Sequence, residues 1–106
     1  MSPKIKICGV CDPLEALRIE ELGADYVGLI FYSRSPRFVD IGKAKKIAGA
    51  MSGRAKRVGV FVSESQDFIK TAAAECGLAA IQLHGGQSAD FAEEIAETGC
   101  EIWRAV

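Results

Sequence analysis

Hydrophobic positions along this chain gather into five short apolar segments, separated by four stretches whose apolar residues recur at helical spacing. The segments are Lys4-Ile5-Lys6-Ile7-Cys8-Gly9, Val27-Gly28-Leu29-Ile30-Phe31, Val58-Gly59-Val60-Phe61-Val62, Ala80-Ile81-Gln82-Leu83 and Ile102-Trp103-Arg104-Ala105-Val106. The second and third are nearly continuous apolar runs, the pattern of strands covered on both faces. Each carries a glycine that opens space on one face of the sheet. Strand and helix alternating in this way predict an α/β domain over residues 1–106, with five parallel strands and four helices.

Helix starts are marked by Asp12 with Pro13 at the first helical position, and by Asp40, Ser65 and Ser88 ahead of apolar-periodic stretches. Gly23, Gly77 and Gly99 follow a repeated helix-to-strand grammar and are placed to end the helices in the left-handed conformation. In the first helix Leu14, Leu17 and Leu22 predict the buried stripe, with Ala16 and Ile19 toward its edges. Lys43, Lys45, Lys46, Arg54, Lys56 and Arg57 read as a solvated helix face and its exit loop.

Parallel crossovers are right-handed almost without exception. Sequential strands would therefore place all four helices on one side and leave the other face bare. Three arrangements hide such a face: a closed barrel with more strands, association with another copy, or a flavodoxin-like strand order that rewinds and puts helices on both sides. Periodicity does not choose among them.

A formal charge of -1 gives no general attraction to nucleic acid. No apolar run is long enough to span a bilayer and no signal-peptide core follows Met1, so the expected compartment is the cytoplasm. The four cysteines sit in α/β units that need no staples and are expected to be reduced.

Candidate chemistry lies after the strands, where loops and helix N-termini converge in a parallel sheet. Cys8 ends the first strand near a helix N-terminus, an environment that lowers a thiol pKa from about 8.5 toward neutrality; the alternative is a small buried apolar residue. Cys8 and Cys11 form a C-x-x-C, a possible redox pair or half of a zinc site, but a zinc site wants four ligands. Arg34 and Arg37 flank Ser35-Pro36 and present two cationic forks suited to a carboxylate or phosphate, or one of them packs on Phe38. Gln82 and His84, two apart, point to one side, unless His84 caps the next helix.

Taken in order, Lys6-Ile7-Cys8-Gly9, Gly23-Ala24-Asp25-Tyr26-Val27-Gly28-Leu29-Ile30-Phe31-Tyr32, Ser35-Pro36-Arg37-Phe38-Val39, Val58-Gly59-Val60-Phe61-Val62 and Ile81-Gln82-Leu83-His84-Gly85 resemble the phosphoribosylanthranilate isomerases. These are (β/α)8-barrel enzymes of tryptophan biosynthesis. The resemblance implies an Amadori-type aldose-ketose isomerisation of a small phosphoribosyl substrate, with Cys8 as general base, Arg37 gripping the anthranilate carboxylate, and Gln82 and His84 in the substrate region. No metal or organic cofactor is implied.

In the family the general acid is an aspartate from the sixth strand, and the phosphate is held after the seventh and eighth. A whole barrel takes about 250 residues, so the expectation is an N-terminal portion of the barrel, inactive alone. Its partner would be the C-terminal half or, as a non-catalytic module, a second copy. Val10-Cys11 stands where the family usually has a threonine-containing turn, which sets a second thiol beside the proposed base.

Overall fold

The computed structural model describes residues 4–104; Met1, Ser2 and Pro3, and Ala105 and Val106 at the end of the last predicted segment, lie outside the described residues. The elements run β1 (Lys6–Cys8), α1 (Pro13–Glu21), β2 (Tyr26–Ile30), α2 (Ile41–Ala50), β3 (Lys56–Phe61), α3 (Gln66–Cys76), β4 (Ala80–Leu83), α4 (Ala89–Ile95), a short 3-10 turn (Ala96–Thr98) and β5 (Glu101–Arg104). All four expected helix starts hold. Asp12, Asp40, Ser65 and Ser88 each accept a hydrogen bond from the backbone N–H three residues on, at 2.7–3.1 Å, which satisfies a donor the helix itself leaves open. Gly23, Gly77 and Gly99 follow the helix ends at φ of +99°, +60° and +80°.

Strand order is β1-β2-β3-β4-β5, every pair parallel. This excludes the rewound, flavodoxin-like alternative, because the order never reverses and right-handed crossovers then stack all helices on one side. Successive helices pack on one another over that side. Val27, Leu29, Phe61, Ile81 and Leu83 point into the layer between sheet and helices, where they meet Ala16, Ala44, Ile47, Ile69, Ala72 and Ile95. Phe31 and Phe61 stack there with ring centroids 5.1 Å apart.

Residues of the other parity line the opposite, concave face. The register sets Cys8, Gly28, Val58, Ala80 and Glu101 side by side, with Ile30, Val60, Gln82 and Trp103 in the next row. Adjacent strands lie about 4.8 Å apart, so β1 and β4 would be about 14 Å apart in a flat sheet. Yet the Lys6 ammonium of β1 donates to Gln82 Oε1 of β4, and Tyr26 of β2 meets Trp103 of β5 with ring centroids 5.0 Å apart. The sheet therefore curls into a trough. Its floor is not the bare apolar face that sequential order suggested, because lysine, glutamine and two aromatic rings cross over the small residues beneath.

The stripe predicted for α1 is corrected. Leu14 is 54% and Leu22 88% exposed, while Ala16 and Glu20 are the buried residues of the helix. Glu20 turns inward because its carboxylate accepts from Ser52 N (2.6 Å), Ser52 Oγ (2.9 Å), Gly53 N (3.1 Å) and Ala55 N (2.8 Å). The loop entering β3 has thus given its donors to a side chain one crossover away. Arg57 also departs from the solvated reading: its Nε donates to the carbonyls of Cys76 and Gly77 at 2.8 and 3.2 Å and caps the end of α3, the helix terminus that favours a cation.

Candidate active site

Beyond Cys8 the chain must leave the sheet to reach α1, and it does so by folding over β2. Gly9 and Val10 both donate their N–H to the Gly28 carbonyl, at 3.1 and 3.2 Å, with Gly9 at φ +81°, a conformation that few residues other than glycine adopt readily. Cys8 is exposed at this strand tip, on the concave face. A Cβ built on Gly28 would stand 2.9 Å from its sulfur, so the glycine clears the space that the thiol occupies.

Arg37 reaches the same place from the next loop. Tyr32 to Phe38 fold as successive turns, with Ser35 N donating to the Tyr32 carbonyl at 3.0 Å, Phe38 N to the Ser35 carbonyl at 3.1 Å and Arg37 N to Ser35 Oγ at 3.1 Å. The chain then returns beside β2 through the Ile30–Phe38 bridge. The Arg37 stem passes over Gly9, its Cγ 3.2 Å from where a Gly9 Cβ would be and Ile30 Cδ1 3.7 Å from the same point. One guanidinium nitrogen, Nη1, lies 3.4 Å from the Gly9 carbonyl. The cation–aromatic contacts among the described residues are those of Lys4 and Lys6, and the Arg37 guanidinium turns to Gly9 rather than stacking on Phe38. Arg34 is exposed on the same loop.

Gln82 lies on the concave face, where it accepts from Lys6. His84 extends the ladder by one bond, its N–H donating to the Phe61 carbonyl at 2.9 Å, with an exposed side chain. It does not cap α4. Ser88 does that, and Gln87 ties the intervening loop by accepting from Gly85 N and donating to the Val62 carbonyl, both at 2.9 Å. The loop runs so close to β3 that a Cβ on Gly85 would overlap the Val62 carbonyl oxygen.

All four cysteines are free thiols. Cys11 turns away from the trough and points its sulfur at the carbonyls of Gly9 and Arg37, 3.5 and 3.4 Å away. Cys76 lies in the helix-side core, where burial pushes its thiol up, assisted by neighbouring Glu75; there it serves as packing. No three His, Cys, Asp or Glu side chains cluster in a way that could hold a metal among the described residues. No helix of these residues is long and apolar enough to cross a membrane.

The sequence pattern does not single out Lys6 or Trp103 as site residues. A lysine two positions before Cys8 in a strand shares its face, and that spacing was the available signal.

Parallel strands in sequential order, one outer layer of helices and polar residues collected at the strand tips define a (β/α)-barrel scaffold, the class that builds its sites on the C-terminal rim. Within that class, a family model described as N-(5'phosphoribosyl)anthranilate (PRA) isomerase matches residues 5–106, and the chain belongs to this family. The N-(5'-phosphoribosyl)anthranilate isomerase of Desulfatibacillum aliphaticivorans is 44% identical over 105 residues, covering 99% of this chain and 48% of that protein. The Thermotoga neapolitana enzyme is 44% identical over 94 residues, 89% of this chain and 46% of that protein.

Among solved structures, phosphoribosyl anthranilate isomerase from Thermotoga maritima superimposes with a TM-score of 0.94 at 36% identity, over 99% of this chain and 51% of that one. A structure of the enzyme in complex with reduced 1-(o-carboxyphenylamino)-1-deoxyribulose 5-phosphate gives the same TM-score and identity over 99% and 54%. The chain spans about half the length of the relatives it matches.

Proposed function

We propose that this chain supplies the proton-abstracting and carboxylate-binding part of a phosphoribosylanthranilate isomerase site acting in tryptophan biosynthesis. The observation that carries the reading is that Arg37 packs against Gly9 and donates to its carbonyl, so that its guanidinium stands beside the residue that follows Cys8 at the tip of β1. A thiol and a guanidinium so placed suit a ligand that has an anionic group at one end and a weakly acidic C–H at the other. The ligand of the related complex, a carboxyphenylamino deoxyribulose phosphate, has that form.

In this reading Arg37 pairs with the anthranilate carboxylate through parallel N–H···O bonds, which fixes orientation as well as charge. Ring opening requires a proton on the ribose oxygen, delivered by an acid from the barrel's other half. Cys8, as thiolate, then removes the proton from C2 of the ring-opened iminium to give an enaminol, which takes a proton at C1 and gives up the proton of its C2 hydroxyl as it becomes the 1-deoxyribulose. The carbon acid is weak, so the base acts only on a substrate held in register. Gln82 and His84 bound the substrate region from β4.

The test is complementation. The chain is mixed with the C-terminal half of the Desulfatibacillum relative and assayed for isomerisation in the steady state. Turnover is expected from the mixture and not from either piece. Substantial turnover by the 106-residue chain alone would refute the division of labour, and a mixture that assembles but stays inactive would refute the isomerase reading.

A further inference from the structure

Lys6 is a partly buried cation with no counter-ion among the described residues. Among the described residues it forms no ion pair; the salt bridges there are those of Lys45 and Lys70. Its ammonium is held by neutral groups: it donates to Gln82 Oε1 and stands 5.8 Å from the centroid of the Trp103 ring. No carboxylate lies within salt-bridge distance of this charge among the described residues, and packing alone would be served as well by a methionine. The charge is left free to face an anion.

Its position says which anion. The point where a Gly28 Cβ would stand is 3.2 Å from Lys6 Cε and 2.9 Å from Cys8 Sγ. The two side chains therefore share the vacancy above Gly28, and sulfur and methylene carbon lie within the sum of those two lengths of each other. That separation is inside the screening length of about 8 Å at physiological ionic strength. We infer that Lys6 is a positioning residue for Cys8: its ammonium, aimed by Gln82 and Trp103, is the fixed positive charge that accompanies the Cys8 thiolate.

Gln82 gains a specific task in consequence, since it orients the lysine rather than only bounding the substrate. The other charged residues bordering the trough include Lys4, whose ammonium stands 6.0 Å from the Tyr26 ring centroid, Arg37 at the rim, Lys56 on β3 and Glu101 on β5, all exposed. Glu101 lies 3.5 Å from the Trp103 indole nitrogen.

The inference rests on Cys8 being the base, but its test reads local charge at the sulfur rather than turnover. The intact chain is alkylated at low ionic strength with neutral iodoacetamide and anionic iodoacetate, and labelling of the Cys8 and Cys11 peptides is followed by mass spectrometry. The ratio of the iodoacetate to the iodoacetamide rate reports the field, because both reagents attack the same thiolate. For Cys8 the ratio is expected to fall about 3- to 10-fold in Lys6→Met, to be largely restored in Lys6→Arg, and to fall by less in Gln82→Met; for Cys11 it stays constant.

An unchanged Cys8 ratio in a folded Lys6→Met chain overturns the inference. Should that variant not fold, salt titration of the unsubstituted chain decides: the Cys8 ratio must drop with added salt more than the Cys11 ratio, and equal responses overturn it too. A normal ratio at Cys8 together with an inactive complemented barrel would leave the Lys6–Cys8 pairing standing and sink the isomerase reading alone.

Discussion

Cys8 and Gly28 face each other across the β1–β2 pair, so closely that a Cβ on Gly28 would stand 2.9 Å from the Cys8 sulfur and 3.1 Å from its Cα. The glycine is thus part of how the thiol is aimed. Gly28→Ala is expected to destabilise the chain by about 1–3 kcal/mol through overpacking. Because misplacing a base by an ångström costs about 100-fold in rate, the complemented enzyme should lose kcat by that order with little change in KM. Steady-state kinetics beside thermal unfolding checks this, and wild-type kcat in Gly28→Ala would show that the thiol position is unimportant.

The two cysteines of the C-x-x-C should separate cleanly. Cys8 faces the trough, whereas Cys11 packs against the helix-side core and points its sulfur at the carbonyls of Gly9 and Arg37. Cys8→Ser is expected to lower complemented isomerase activity by about 10²- to 10⁴-fold, the usual worth of a general base. Cys11→Ser should stay within a few-fold of the unsubstituted chain. The reverse order would point to a thiol-disulfide function instead.

Arg37 is expected to act mainly on binding. Arg37→Ala should raise KM of the complemented enzyme by about 10- to 100-fold, corresponding to the loss of a charge-assisted hydrogen-bonded pair. Arg37→Lys should recover only part, since an ammonium cannot form the two-pronged contact. If an analogue lacking the carboxylate showed the same loss in the Arg37→Ala variant, the carboxylate assignment would fail.

Glu20 should govern acid stability. Burial alone would raise its pKa, but the N–H and O–H groups that Ala55 and Ser52 donate outweigh burial and hold the carboxyl below its ordinary value. A carboxyl lowered in the folded state adds stability above its unfolded pKa of about 4.3, and that stability is lost as pH falls through the lower, folded value. Glu20→Gln is therefore expected to be destabilised at pH 7, and the gap to the unsubstituted chain should close as pH drops below the usual carboxylate range. The substitution keeps one acceptor oxygen and turns an amide NH2 toward the donors that the other oxygen held, at a cost of about 1–3 kcal/mol. Urea titrations from pH 7 to pH 3 test this, and a gap independent of pH would contradict it.

The sheet edge at β1 should make the isolated chain associate. Ile5 is 52%, Ile7 39% and Leu22 88% exposed, a contiguous apolar margin of a kind that soluble monomers seldom leave open. It adjoins the place where the remaining strands and helices of a barrel would dock. Light scattering across a concentration series should show self-association, relieved by a C-terminal half. A monomer of constant mass throughout would count against this.

Much of the architecture was legible along the chain because it depends on local chemistry. Asp12, Asp40, Ser65 and Ser88 bond to N–H groups three residues away, and Gly23, Gly77 and Gly99 relieve a local steric conflict, so their signals need no knowledge of the rest of the molecule. The same holds for the five strands and for Cys8 at the tip of the first. The inward turn of Glu20 was hidden because its partners, Ser52 to Ala55, lie over thirty residues away. An acid on a helix face with Ala16 one turn earlier, opposite a Ser-Gly loop, was the only hint.

What the amino-acid order by itself determined is the alternation of elements, their caps and the set of polar residues delivered to the strand tips, all products of short-range sterics and hydrogen bonding. Tertiary structure alone decided that the strands stay in sequence and curl into a trough, that Arg37 lies over Gly9, and that Lys6 reaches Gln82 and Trp103 from three and four strands away. Those pairings depend on how the sheet bends, and its curvature is set by side chains from every strand packing together rather than by any one segment.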